Sequence, residues 1–159
     1  MINNFYFSPA AQGGGGKKEI NHMTETHSIE NPLEYAAEIV GRDPFATYLG
    51  IEVEEVREGY ARCSITVRPE HLNAVERAHG AFIHAVADQA FAVACNSTGV
   101  MAIAVNFTIN YHASAVDGEK IFAEATPVSI GRKISVWNIA VRGGQDRLVA
   151  TGYGTAYHK

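Results

Sequence analysis

Residues Leu72–Gly99 read LNAVERAHGAFIHAVADQAFAVACNSTG, and the character of the chain changes inside this stretch. Its second part, Ala81 to Ser97 (AFIHAVADQAFAVACNS), is rich in alanine and long enough for a helix. It is apolar nearly all round, broken only by His84, Asp88 and Gln89 before Asn96. Such a helix is expected to be buried on most of its faces. Gly99 is the expected stop.

On either side of this helix the pattern is that of strands. Upstream, Ile51, Val53 and Val56 begin one run, and Tyr60 to Val67 alternates as a second. Arg57-Glu58-Gly59 between them is a hairpin turn signal. Downstream come four candidates: Ala102–His112, Lys120–Ile130, Lys133–Arg142 and Arg147–His158. Asp117-Gly118, Gly131-Arg132 and Gly143-Gly144 punctuate them. Before all of these, Asn31-Pro32 opens a short amphipathic helix from Leu33 to Val40, and Asp43-Pro44 opens a helical turn from Phe45 to Leu49. The order is α-β-β-α-β-β-β-β. It predicts an α+β architecture in which four successive strands form an antiparallel meander and the long helix lies against the concave face of the sheet.

Composition narrows the function classes. The chain has 159 residues, 47% hydrophobic and 19% charged, with 13 Lys and Arg against 17 Asp and Glu and a net charge of −4. That is too apolar for a disordered tail and too acidic for a nucleic-acid binder driven by counterion release. No apolar run reaches the roughly 18–20 residues of a membrane span. The two cysteines, Cys63 and Cys95, are too few for a disulfide scaffold, which points to a reducing, cytoplasmic setting. Sparse charge suggests apolar surface covered by another copy of the chain.

Asp88 is the residue whose chemistry most needs explaining. An ionised carboxylate among alanines and valines is costly unless compensated. It is either a structural carboxylate on the helix's polar stripe or a general base or nucleophile with a raised pKa. His79-Gly80 sits at the helix start, where unpaired N–H groups and partial positive charge can polarise a carbonyl; the same pair also reads as a plain turn and cap. Asn73 is a candidate carbonyl or water ligand, and equally an ordinary loop residue. His84 shares a helix face with Asp88. No HExxH pattern or cysteine cluster supports a metal site, no GxSxG elbow supports a serine nucleophile, and no phosphate-binding glycine loop is present.

The spacing Asn73, five residues, His79-Gly80, seven residues, Asp88 resembles the hotdog-fold acyl-CoA thioesterases of the phenylacetate-degradation (PaaI-like) type. The resemblance extends loosely from Phe45 to His158. It implies that the long helix is wrapped by a curved antiparallel sheet, that two subunits join their sheets and often pair again into a homotetramer, and that each active site is shared between two subunits. Asp88 would be the general base or nucleophile. Asn73, His79 and Gly80 would come from the other subunit, with the Gly80 N–H on the thioester carbonyl, Asn73 placing the carbonyl or water and His79 orienting the loop. Arg132 or Lys133 would meet the phosphates of coenzyme A. No cofactor is implied, since coenzyme A is part of the substrate.

Two departures stand out. Ala81 replaces the second glycine of the family's His-Gly-Gly and would narrow the pocket. Where some relatives carry Ser or Thr on the strand after the helix, this chain has Ala104, with Val105, Asn106 and Thr108 nearby. His84 would point near the acyl pocket and bear on substrate choice. Two other readings remain open: a hotdog hydratase or dehydratase using His84 with Asp88, and a non-catalytic acyl-CoA-binding protein.

Residues 1–22 (MINNFYFSPAAQGGGGKKEINH) read as a disordered or non-native extension. Gly-Gly-Lys-Lys-Glu corresponds to a purine-rich tract just ahead of Met23, as a ribosome-binding site would if translated. Met23 is the expected natural start, leaving residues 23–159 as one hotdog domain.

Overall fold

The computed structural model describes residues 29–159, so the reading of residues 1–22 and of Met23 falls outside the described residues. Helix α1 (Pro32–Glu34) passes directly into a wider π-helical stretch, Tyr35–Val40. The widening is visible where the Gly41 N–H bonds back to the Ala36 carbonyl at 2.8 Å, five residues earlier. Helix α2 (Pro44–Leu49) is capped by Asp43, whose carboxylate accepts from the Phe45 and Ala46 N–H groups at 2.8 and 2.9 Å. The long helix, α3 (Gly80–Asn96), starts one residue earlier than the alanine run indicates, and His79 is its cap.

Six strands make one antiparallel sheet: β1 (Glu52–Arg57), β2 (Tyr60–Thr66), β3 (Ala102–Tyr111), β4 (Lys120–Ile130), β5 (Ile134–Arg142) and β6 (Leu148–His158). Their spatial order is β1-β2-β4-β5-β6-β3. The expected four-strand meander is therefore corrected: only β4, β5 and β6 follow one another, and β3 lies at the far edge beside β6. Asn96, at the end of α3, both accepts from the Ala102 N–H and donates to the Ala102 carbonyl, each at 3.0 Å, and so starts β3 beside the helix terminus. Residues 112–119 then carry the chain past the start of α3, where the Ala78 N–H bonds the Ala115 carbonyl at 2.9 Å, and β4 enters beside β2.

Helix α3 packs across the sheet, touching all six strands. Phe91 and Trp137 are fully buried between the layers, with ring centroids 6.4 Å apart. Burying each ring is worth about 2–3 kcal/mol. The helix comes close because Gly154 on β6 carries no side chain: a Cβ there would lie 2.8 Å from the Phe91 ring. In the same layer, Trp137 Nε1 donates to Ser135 Oγ at 2.8 Å, and His158 Nε2 meets the same oxygen at 2.8 Å, so these three buried polar groups are paired.

The two sheet edges differ. β1 carries Glu52, Glu54 and Glu55 and is interrupted by a bulge, both of which discourage pairing. β3, reading AIAVNFTINY, has no charged residue, and Ile103 and Val105 are 45% and 57% exposed. An edge of that kind is a template for another strand.

Candidate active site

The loop leading into α3 is closed on itself. Leu72 bridges Ala78, and the Asn73 N–H donates to the Arg77 carbonyl at 2.7 Å. Asn73 Oδ1 accepts from the Val75 and Arg77 N–H groups at 3.0 and 3.1 Å, so the side-chain oxygen shapes the loop, and the Nδ2 amide has no acceptor among the described residues. His71, a residue the sequence reading passed over, anchors this loop. It is buried, stacks on Phe82 with centroids 4.1 Å apart, and takes the His79 N–H on its carbonyl at 2.8 Å.

His79 is exposed, and its Nδ1 accepts from the Ala81 N–H at 3.0 Å. That satisfies one of the orphan donors at the helix start. The Phe82 and Ile83 N–H groups bond the His79 carbonyl. The Gly80 N–H has no acceptor among the described residues. It is an unpaired donor at the positive end of a 17-residue helix. Asn73, Arg77, Gly80, Ile83, Tyr111 and His112 line one groove of about 460 Å³ beside it.

Asp88 lies on the face of α3 that the rest of the fold covers least. Ala81, His84, Ala85, Asp88 and Ala92 share this stripe, and all are half-buried or exposed. The helix is thus less enclosed than its composition suggests. No donor among the described residues bonds the Asp88 carboxylate, and burial pushes its pKa up. Nearby, His84 opposes that rise and Asp43, at the cap of α2, adds to it. His84 stacks on Phe107 of β3, with centroids 4.7 Å apart. Among the described residues no group of three or more His, Cys, Asp or Glu side chains converges as a metal site would require.

A carboxylate raised by burial and an unpaired N–H at a helix start are the two elements of a carbonyl-hydrolysing site. Comparison with known proteins agrees. The thioesterase superfamily profile matches residues 76–150. The acyl-coenzyme A thioesterase PaaI of Escherichia coli is 33% identical over 115 residues, covering 72% of this chain and 82% of that protein. The chain belongs to the thioesterase superfamily. Among solved structures, E. coli PaaI superposes with a TM-score of 0.78 at 30% identity over 81% of this chain and 94% of that one. The TT0310 protein of Thermus thermophilus gives 0.71 at 35% identity over 74% and 99%. A Streptococcus mutans protein bound to acetyl-CoA gives 0.66 at 25% identity over 69% and 88%. The protein is a thioester hydrolase with the hotdog arrangement of one helix on a six-stranded antiparallel sheet.

Within one chain of this thioesterase, the sequence-derived residues fall into three places. Asn73, His79 and Gly80 sit together at the start of α3 with exposed Ala81 beside them. Asp88 and His84 lie further along the same helix. Gly80 and Asp88 are eight positions apart, about 12 Å along the axis and roughly 80° around it. Arg132 and Lys133, in the β4–β5 turn, lie at the other end of the sheet. Lys133 Nζ stands 5.5 Å from the Tyr157 ring centroid. β6 pairs Tyr111 through Ala150 and Ala102 through His158, so the two ends are about 26 Å apart along the strand. Asn106 and Thr108 are exposed on the β3 edge, and a bulge at Val105 interrupts their register with Ala104.

Tyr111 was missed from sequence. Its hydroxyl donates to the Gly80 carbonyl at 3.0 Å. Nothing in the local pattern marks it, because it is simply the last residue of a β-prone run.

Proposed function

We propose that this thioesterase hydrolyses an acyl- or aryl-acyl-CoA thioester to the free acid and coenzyme A at sites shared between two copies of the chain. The observation that carries this reading is that Gly80 and Asp88 stand eight positions apart on one helix, about 12 Å of backbone rise and roughly 80° around its axis, so the unpaired N–H and the carboxylate are aimed at different places. A thioester carbonyl held by one cannot receive a water activated by the other within the same chain. A second copy, pairing along the uncharged β3 edge and laying its α3 beside the first, supplies the missing half.

In that site the Gly80 N–H donates to the carbonyl oxygen as negative charge develops on it, reinforced by the helix terminus. Asp88 of the other copy takes a proton from water as the oxygen attacks the carbonyl carbon. Collapse of the tetrahedral intermediate breaks the C–S bond, and the coenzyme A thiolate takes up the proton. Direct attack by the Asp88 carboxylate, with water then hydrolysing the anhydride, is the other route open to the same groups. The Asn73 amide positions the carbonyl or water, and His79 holds the loop. Ala81 and His84 border the acyl end. Arg132 or Lys133 meets the phosphates of coenzyme A. No cofactor enters this chemistry. The acetyl-CoA bound to the S. mutans relative supports coenzyme A as the carrier. Pairing of two such dimers into a tetramer and a cytoplasmic setting complete the reading.

The test is a panel of acetyl-, medium-chain and aryl-acyl-CoA thioesters, read by thiol release. Stoichiometric free thiol and carboxylic acid support the reading. Formation of enoyl-CoA without thiol release, or binding without turnover, overturns it.

A further inference from the structure

Tyr111 ends β3, the uncharged edge strand, and its ring lies against the start of α3. Its hydroxyl donates to the Gly80 carbonyl at 3.0 Å. That carbonyl already serves the first helical turn, so the phenol is a second donor on it, tying the helix start to the sheet edge. The contact is close. A Cβ at position 80 would lie 3.2 Å from Tyr111 Cζ and 3.3 Å from its hydroxyl oxygen. A side chain at position 80 would press on this ring and require it to give by a few tenths of an ångström. Tyr111 is also 50% exposed and lines the same groove as Asn73 and Gly80.

We propose that Tyr111 is a positioning residue: its hydroxyl fixes the first turn of α3 so that the unpaired Gly80 N–H keeps its aim at the thioester carbonyl. This rests on the assignment of Gly80 made above. The reason is preorganisation. An oxyanion donor is effective when it need not reorient as charge develops, and a helix end held only by its own hydrogen bonds frays. Fraying costs little in ground-state binding, because the substrate is held along its whole length. It costs the transition state, whose charge is concentrated at one oxygen. Burial pushes the Tyr111 pKa above its ordinary value, which keeps the phenol a donor across the working pH range.

The experiment uses the full chain, the best substrate from the acyl-CoA panel, and steady-state kinetics with thermal denaturation. Tyr111→Phe keeps the ring and deletes the donor. The expected result is a fall in kcat of roughly 3- to 10-fold, the worth of one hydrogen bond, with KM within about 2-fold and Tm unchanged. A double-mutant cycle adds a second readout. Gly80→Ala presses on the ring and should lower kcat alone, but cost less in a Tyr111→Ala background, where the space is open. An unchanged kcat in Tyr111→Phe overturns the inference, as does a rise in KM with kcat intact, which would make Tyr111 a substrate contact. Additive effects of Gly80→Ala and Tyr111→Ala also overturn it. If the wild-type chain released thiol from no acyl-CoA, the proposed function would fall and this inference with it. Normal wild-type turnover with an indifferent Tyr111→Phe would remove this inference alone.

Discussion

Two inactive variants of this chain are expected to restore each other. Gly80→Pro deletes the N–H donor itself. Position 80 is the first residue of α3, where a proline backbone is tolerated, and His79 before it is extended (φ −62°, ψ 141°), as a residue preceding proline must be; the proline ring also presses on Tyr111, whose Cζ would lie 3.2 Å from the new Cβ, which adds to the loss at the same half of the site. Asp88→Asn deletes the base and keeps its shape. Loss of an oxyanion donor costs about 10²–10³ in kcat, and loss of a general base about 10²–10⁴. Each homodimer should therefore be nearly silent. When the two are co-refolded in equal amounts, half the dimers are mixed, and each mixed dimer carries one site with both groups intact and one with neither. The mixture should recover about a quarter of wild-type thiol release per milligram. The assay is coenzyme A thiol release, with gel filtration confirming that both variants keep the wild-type size. The 12 Å offset along α3 is what requires this outcome, at ~1.5 Å per residue. Activity no greater than the sum of the two parents would refute the shared site.

Three further outcomes follow from the structure. Burial pushes the Cys63 and Cys95 thiols up to about 12, so the native protein should react with a thiol reagent far more slowly than the denatured chain; rapid native labelling would contradict their placement. The Glu119 carboxylate is partly desolvated, which raises its pKa, but the Gly144 and Val116 N–H groups and Arg147 outweigh that and hold it below the usual range. Its stabilising contribution is present above the unfolded carboxylate pKa and is lost as pH falls through the lower folded value; Glu119→Gln should cost about 1–3 kcal/mol near neutral pH and flatten the acid side of a Tm-versus-pH curve. Gly154→Ala, placing a methyl 2.8 Å from the Phe91 ring, should destabilise by about 1–3 kcal/mol in chemical denaturation, and an unchanged midpoint would contradict the tight helix–sheet contact.

Element positions were largely legible, because turn chemistry and periodicity act locally. α3 and every strand lie within about a residue or two of the positions expected from pattern. Strand order was not legible in the same way. Gly and Asp mark where strands stop, but β3 reached the far edge through its Asn96 tie to α3 and the crossing of residues 112–119. The half-covered face of α3 was missed for a related reason. Alanine suits a sheet and a neighbouring subunit equally, so composition could not say which of them covers Ala85 and Ala92. At the site, Asp88 announced itself by its apolar surroundings. The committed oxygen of Asn73, the anchor at His71 and the Tyr111 tether arise from contacts that sequence spacing does not encode.

The central claim, that Asp88 drives thioester hydrolysis, is tested most directly by the turnover of Asp88→Asn on the best acyl-CoA substrate. Burial raises the Asp88 pKa, so the ionised form is disfavoured in the folded state, and stability falls as pH rises from the unfolded to the folded value. The neutral amide removes that penalty. The account expects kcat to fall by at least ~10²-fold while Tm at neutral pH stays level or rises. Wild-type turnover in Asp88→Asn would contradict it.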